Sequence, residues 1–331
     1  MISTLILVTF AAITSTLGHR VLTRARWVRR FPAAGIWAWQ TVTVSVVLCL
    51  ALGGLTLAIP LAPEDQVAAI MQLSPIELAH HYPNPGGALL AAIAAGTVGA
   101  LLLRVLLLTV VELRRAGLER GSQRMSLDMV GAPHPDGYLL LSHPVPLVYC
   151  LPGRRPQIVV TSGAASLLTP EQLALVLAHE RVHLRVRHDL ALAFATALAR
   201  TFAWWPLLAA APQEIGALAE MQADDVVRAP AERRQLAQAL ARMRMAGAPA
   251  TRASAPAVAG AQVTTRVTRL AGTPVGHARA RAGGAAVAGL ALLATPVALA
   301  LAPAFDAATT GCCVYAESRD DQLLPAILDA P

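Results

Sequence analysis

The sequence lacks lysine, has only 4 cysteines, and carries few charged residues of any kind. Charged residues make up 14% of the chain and hydrophobic residues 55%, a balance that excludes an ordinary soluble domain and indicates membrane-spanning segments. All 27 basic residues are arginines, which genome composition explains most simply, since alanine is also abundant. The cysteines argue against a cysteine-ligated zinc site, because neither Cys49 nor Cys150 has a C-x-x-C partner. The adjacent Cys312 and Cys313 leave a free pair or an intermolecular bridge open.

Four apolar runs are long enough to cross a membrane. We predict membrane-spanning helices at residues 1–18, 36–60, 87–111 and 283–303. The first run lacks the preceding positive charge that a secretory signal would have, and its arginines follow it instead. It is therefore predicted to be a signal anchor with its N-terminus outside the cell.

The arginines are distributed unevenly between the segments that connect the four runs. The 19–35 loop has 5 and the 113–282 segment has 20, whereas the 61–86 loop has none and the 304–331 tail has one. By the positive-inside rule, the first two segments are cytoplasmic and the other two are outside. The placement of arginines on the cytoplasmic side of the membrane thus explains most of the net charge of +7. We expect a multi-pass protein of a bacterial plasma membrane, in contact with the lipid bilayer. Direct nucleic-acid binding is not expected, because no reader motif is present.

The predicted fold class is a mostly α-helical membrane protein with a cytoplasmic α+β domain inserted between the third and fourth spans. That domain is assigned to residues 112–245, and an Ala/Pro/Gly-rich linker with a short basic helix is assigned to residues 246–282. Short strands are predicted at residues 138–142, 146–150 and 157–161. Helices are predicted at about residues 170–187, 189–203, 213–227 and 262–270. An edge strand of such a sheet could align an extended peptide by backbone hydrogen bonds.

The helix predicted from residue 170 contains the sequence His179-Glu180-Arg181-Val182-His183. Thr169 is a good N-cap, and Gln172 completes a Thr-x-x-Gln capping box. Histidines four residues apart share one helical face and can bind one Zn²⁺ from the same side. Glu180 then lies beside the metal and can take a proton from a water that the metal activates. This H-E-x-x-H arrangement is typical of zinc peptidases, with Glu180 as the catalytic base.

A third zinc ligand must come from elsewhere, because the chain lacks the H-x-x-G-x-x-H continuation that would supply a third histidine. His188 lies five residues after His183 on a different helical face. We predict that His188 and the adjacent Asp189 contact the ligand residues and do not bind the metal themselves. The remaining candidates are the carboxylates of the next helix, which are Glu214, Glu220, Asp224 and Asp225. Glu220 and Asp224 share one helical face. We predict that Glu220 is the third ligand and that Asp224 accepts a hydrogen bond from a ligand histidine. An acidic face exposed to solvent is an equal alternative.

Several sequence features together resemble the membrane metallopeptidases of the BlaR/MecR type, the signal transducers of beta-lactam resistance. An H-E-R-x-H helix is followed by an aromatic-proline stretch at 202–206 and by E-x-x-x-D at 220–224. The segment 146–153 precedes a Val-Val-Thr-Ser-Gly turn, as in that family. Three spans before the domain and one after it also match. The resemblance covers residues 1 to about 303 and is most specific between residues 140 and 228.

The resemblance implies a zincin-like (gluzincin) domain in which His179, His183 and Glu220 bind zinc and Glu180 is the catalytic base. It also implies a cytoplasmic protein substrate, in particular a winged-helix repressor, cut in signal-regulated proteolysis. The family's better-known members carry a large extracellular penicillin-binding sensor domain after the last span. Only 28 residues follow that span here, so we do not expect beta-lactam sensing by acylation.

Two other functions stay open at this stage. One is a housekeeping membrane metalloprotease of the Ste24/HtpX type, which the position of the motif after three spans disfavours. The other is a non-catalytic zinc-binding receptor or scaffold, which the intact Glu180 disfavours. The physiological substrate, the activating signal, the self-cleavage site and the oxyanion-stabilising residue are not defined by the sequence. The oligomeric state is also open, with a homodimer as one alternative.

Overall fold

The computed structural model describes residues 2–58, 87–153, 155–247, 256–272, 284 and 286–305. Within these ranges the chain is mostly helical, with one small sheet. The elements in chain order are α1 (Ile2–Arg24), α2 (Arg26–Arg30), α3 (Pro32–Ala58), α4 (Gly87–Val130), β1 (Gly131–His134), β2 (Tyr138–Leu141), β3 (Val148–Leu151), β4 (Gln157–Thr161), α5 (Ser162–Leu167), α6 (Pro170–Val186), α7 (His188–Thr201), α8 (Pro206–Asp224), α9 (Pro230–Met245), α10 (Pro256–Ala271) and α11 (Ala286–Phe305).

Four of these helices are long and apolar enough to cross a membrane, and they correspond to the four predicted spans. The candidate segments are Ile2–Arg24, Pro32–Ala58, Leu89–Leu118 and Ala286–Phe305. Small and hydroxyl-bearing residues join them, as is usual between helices in lipid. The Thr4 and Thr56 hydroxyls are 2.9 Å apart, and the buried Ser45 hydroxyl donates to the carbonyl oxygen of Leu292 at 3.0 Å. The predicted 61–86 loop and most of the 304–331 tail lie outside the described residues.

The helix of the third candidate span continues beyond its predicted boundary with the domain that follows. Helix α4 continues without a break for 44 residues, well past the predicted boundary at residues 111 and 112. At 1.5 Å per residue it is about 66 Å long, roughly twice the thickness of a hydrocarbon core. Polar residues after residue 111 end the apolar run but not the helix, because they include no proline. The guanidinium of Arg124, on this extension, donates to the carbonyl oxygen of Leu151 at 3.2 Å.

The segment between the third and fourth candidate spans contains a four-stranded sheet in the order β1-β2-β4-β3. Strands β2 and β4 are parallel, and the two outer strands pair antiparallel with them. The predicted strand at 157–161 coincides with β4, and β1 was not predicted because Pro133 and Gly131 are unusual strand residues. After β4 the chain turns at Gly163, where a Cβ atom would lie 2.1 Å from the carbonyl oxygen of Pro144, so only glycine fits.

Helix α6 carries the H-E-x-x-H sequence and begins with the predicted capping box. The hydroxyl of Thr169 accepts from the backbone N–H of Gln172, and the Gln172 side chain accepts from the backbone N–H of Thr169. One side of the helix packs on the sheet, where Leu177 joins Ile158 and Val160 in a buried cluster. The helix ends at Val186, the next residue Arg187 has φ 58° and ψ 47°, and α7 begins at His188. This left-handed residue turns the chain sharply after the motif.

Two later helices differ from their predicted boundaries. Helix α8 begins at Pro206, not near residue 213, and tolerates Pro212 in its interior. Helix α10 begins at Pro256, inside the stretch predicted to be flexible linker. The linker was predicted from the Ala/Pro/Gly content of this stretch. Pro256 instead occupies the first helical position, and the alanines favour a helix. Leu270 of α10 is buried in a cluster with Val176 and Leu236, so α10 is part of the packed domain.

Candidate metal centre

Three side chains converge with the spacing of a zinc site. The Nε2 atoms of His179 and His183 are 3.2 Å apart, and the two carboxylate oxygens of Glu220 each lie 3.6 Å from one of them. Ligands about 2.0–2.1 Å from a tetrahedral zinc ion are separated by about 3.3 Å, so these distances match. Two histidines and one glutamate, with a fourth position for water or substrate, are the ligand set of a catalytic zinc site. The residues present therefore fit Zn²⁺.

The fold explains why these three residues meet. His179 and His183 are one turn apart on α6 and point to the same side of the helix. Glu220 lies near the C-terminal end of α8, which packs against α6. Among the described residues, the cluster of potential metal ligands contains Glu220 but neither Glu214 nor Asp225. Asp225 instead accepts from the guanidinium of Arg269 at 2.8 Å.

The carboxylate of Asp224 lies beside Nδ1 of His179, the ring nitrogen that does not face Glu220. Its Oδ1 atom is 3.1 Å from Nδ1 of His179, although the oxygen lies off the axis of the N–H bond. The carboxylate of Asp224 is completely buried, and the His179 side chain is 6% exposed. A carboxylate at Nδ1 holds the proton on that nitrogen and leaves the lone pair of Nε2 free to bind a metal.

The second histidine is oriented by a chain of hydrogen bonds through α7 and α8. Nε2 of His188 lies 3.1 Å from the side-chain oxygen of Gln222, which can only accept, so this nitrogen is the donor. Neutral His188 must then accept at Nδ1, which is 2.9 Å from Nδ1 of His183. The proton of His183 consequently lies on Nδ1, and its Nε2 lone pair faces the metal position. The sharp turn at Arg187 is what brings His188 back to the site.

An arginine from α10 reaches the same cluster. Its Nη1 atom donates to Glu220 at 2.7 Å, and its Nη2 and Nε atoms donate to the two oxygens of Asp224 at 2.7 and 2.9 Å. This residue, Arg266, is 6% exposed, and its Nη2 atom is 3.5 Å from Nε2 of His179. It thus holds both carboxylates in place and neutralises part of their charge.

Burial and these contacts separate the pKa values of the site residues. Burial lowers the pKa of His183 to about 4, so this ring is neutral at physiological pH. Burial would also lower the pKa of His179, but Asp224 and Glu220 outweigh it and raise the pKa to about 9. A metal ion must displace that proton when it binds. Burial tends to raise the pKa of Glu220, but the Arg266 charge prevails and lowers it to about 2.

Glu180 is the carboxylate of the H-E-x-x-H motif, and its pKa is shifted in the opposite direction to that of Glu220. Its burial raises the pKa of the carboxyl, and the negative charge of Glu220 acts in the same direction. It also accepts a hydrogen bond from the thiol of Cys150, on strand β3. Burial is in turn the main reason why the pKa of that thiol is raised, which keeps the sulfur protonated as a donor. A carboxyl with a raised pKa is suited to accepting and releasing a proton near neutral pH.

The remaining predicted residue, Asp189, lies at the start of α7. One of its oxygens accepts from Nε of Arg187 at 3.3 Å, and its negative charge favours the protonated form of His188. Three residues of the site were not predicted from the sequence: Arg266, Gln222 and Cys150. Gln222 is two residues from Glu220 and therefore off the expected helical face, while Arg266 and Cys150 come from other elements. The sequence offers no local signal for any of them.

The contact between Asp224 and His179 leads to a prediction about metal affinity. We expect Asp224→Asn to weaken zinc binding by about 10–100-fold, because the amide is a poorer acceptor for Nδ1 of His179 and for Arg266. Competition with a chromogenic chelator, on detergent-solubilised protein, measures this. Asp225→Asn is the matched control, since Asp225 pairs with Arg269, and we expect it to leave the zinc affinity unchanged. Equal losses in the two variants would contradict this role for Asp224.

Comparison with known proteins identifies the family of the chain. The model of the BlaR1 peptidase M56 family matches residues 5–270, a range that includes the sheet, the H-E-x-x-H helix, Glu220 and Arg266. No curated protein and no solved structure matches the chain significantly. The family match covers well over half of the chain. The protein therefore belongs to the BlaR1 peptidase M56 family and is a membrane peptidase.

Proposed function

We propose that the protein is a zinc-dependent endopeptidase whose active site lies on the cytoplasmic side of the plasma membrane. The observation that carries this proposal is the preassembled set of His179, His183 and Glu220, with the buried Glu180 next to it. The arginine-rich composition of the 19–35 loop and the 113–282 segment supports the cytoplasmic location. The gluzincin-like domain then lies between the third and fourth spans.

In the proposed reaction, each residue has a separate task. A bound zinc ion would supply Lewis-acid polarisation of the scissile carbonyl and of the attacking water. The carboxylate of Glu180 accepts the proton of that water and passes it to the leaving amine. The thiol of Cys150 restricts the rotation of this carboxylate by donating to it. Asp224 and the pair His188–Gln222 keep the two histidines in the tautomers that expose Nε2.

Strand β3 supports an extended peptide as the substrate. It is at one end of the described sheet, bonded to β4 on one side, and it packs against α6. An extended segment of a substrate can add to such an edge through main-chain hydrogen bonds, with little dependence on sequence. The hydrogen bond between Cys150 and Glu180 places this edge beside the catalytic carboxylate.

We further propose that the natural substrate is a cytoplasmic protein, in particular a transcriptional repressor cut in signal-regulated proteolysis. This substrate class follows from the likeness to BlaR/MecR-type peptidases. A candidate repressor encoded beside the gene is the first protein to test, by co-expression with the peptidase and mass spectrometry of the fragments. A new internal N-terminus in the repressor supports the assignment. An intact repressor, together with cleavage of unrelated proteins, favours a housekeeping protease.

Removal of the metal tests the peptidase assignment without knowledge of the natural substrate. We expect 1,10-phenanthroline to abolish cleavage of unfolded casein by the detergent-solubilised full chain, because no other group replaces the Lewis acid. Added Zn²⁺ should restore the cleavage, and Mg²⁺ should not, because a site with two imidazole ligands disfavours a hard cation. Cleavage that continues in the chelator would show that a different mechanism, or a contaminating protease, is responsible.

A further inference from the structure

A cavity on the other side of α10 has no part in the proposed peptidase reaction. Its volume is about 700 Å³, and it is lined by Arg29, Arg30, Met221, Thr264, Thr265, Thr268 and Arg269. One wall is therefore the end of α2, and the other is the face of α10 that carries three threonines. Guanidinium groups and threonine side chains therefore line the same cavity.

The cavity has an excess of positive charge. The arginine on α10, Arg269, is already balanced by Asp225 and also donates to the backbone oxygens of Met221 and Arg29. Arg29 and Arg30 are exposed, and no described carboxylate lies within salt-bridge distance of either. Arg30 has a described contact with the ring of Phe31, at 5.9 Å. Two positive charges thus face the cavity without a described acidic partner.

The sequence places these two arginines next to the membrane. Arg30 is two residues before Pro32, where the second candidate span begins. Trp27, on the same short helix α2, is 38% exposed, and tryptophan is enriched at the level of the lipid headgroups. On the proposed topology this is the cytoplasmic leaflet, in which anionic lipids attract basic segments.

We propose that this cavity binds the phosphate group of an anionic phospholipid of the cytoplasmic leaflet. A phosphate has the negative charge that Arg29 and Arg30 lack as a partner, and its oxygens are acceptors for both guanidinium groups. The acyl chains of the same lipid can remain in the bilayer beside the start of α3. The site rests on the proposed membrane topology but not on peptidase activity.

Native mass spectrometry of the full chain in detergent tests the proposal, with dioleoyl-phosphatidylglycerol as the probe and dioleoyl-phosphatidylcholine as the neutral comparison. We expect the protein to retain phosphatidylglycerol preferentially. The double variant Arg29→Gln/Arg30→Gln should bind it about 30-fold more weakly, since each arginine near a lipid surface contributes about 1 kcal/mol.

The matched control is Arg24→Gln/Arg26→Gln, which removes the same charge from the same loop at exposed positions that do not line the cavity. Equal weakening in the two double variants would overturn the proposal, because it would show attraction to the basic loop as a whole. Unchanged binding in the Arg29/Arg30 variant would overturn it as well. A soluble headgroup, sn-glycerol 3-phosphate, is then added as a competitor. Failure to displace the lipid supports a membrane ligand, whereas displacement at equimolar concentration would overturn the lipid assignment in favour of a soluble phosphate ester.

Discussion

Glu180→Gln is expected to lower peptide hydrolysis by about 10²–10⁴-fold while the protein retains its zinc. The amide has nearly the shape of the carboxylate but cannot accept the proton of the attacking water. The proposed zinc ligands His179, His183 and Glu220 are untouched, and the amide can still contact the thiol of Cys150. Rates of casein cleavage by the full chain, together with zinc content by elemental analysis, measure the two effects on one sample.

Two further variants make this result interpretable. His183→Ala removes a ligand and should lose both zinc and activity, whereas Glu214→Gln changes a carboxylate outside the metal cluster and should lose neither. If wild type and Glu180→Gln both bind zinc and neither cleaves any protein, the site serves a receptor or scaffold and not a peptidase. If neither variant nor wild type binds zinc, the ligand assignment itself is wrong.

The parts of the structure that the sequence predicted are those determined by local spacing. The interval of four residues between His179 and His183, and between Glu220 and Asp224, specifies which side chains share a helical face. The Thr169–Gln172 capping box specifies where α6 begins, and continuous apolar runs specify the spans. In each case the relevant residues lie within one or two turns of each other, or within one uninterrupted segment.

The parts that the sequence did not predict depend on contacts between distant segments. Arg266 is 46 residues from Glu220 and 87 from His179 along the chain, in a short helix that was predicted at residues 262–270 but not assigned to the site. His188 was predicted to lie on a different helical face from His183. The left-handed conformation of Arg187 ends α6 before that face is reached, and the two rings meet. Non-glycine residues seldom adopt this conformation, so no residue type at position 187 signals it.

Arg266→Met is expected to destabilise the metal-free protein by about 3–5 kcal/mol, because it leaves the carboxylates of Asp224 and Glu220 buried without their counter-charge. Methionine preserves much of the side-chain volume, so the loss reports on charge more than on packing. The metal-loaded protein should lose less, since a divalent cation on Glu220 compensates the same negative charge. We therefore expect the variant to depend on zinc for its stability more strongly than the wild type does.

The apparent midpoint of thermal unfolding in detergent, with saturating zinc and with a chelator, measures this dependence. For a domain of this size a loss of 3–5 kcal/mol corresponds to a shift of about 10 °C, which should appear mainly in the chelator. Arg269→Met is the matched control, because Arg269 lies one turn further along α10 and pairs with Asp225, whose side chain is 37% exposed. Its smaller destabilisation should be the same with and without zinc. An equal shift of Arg266→Met in both conditions would show that the guanidinium acts through packing alone and has no electrostatic link to the metal centre.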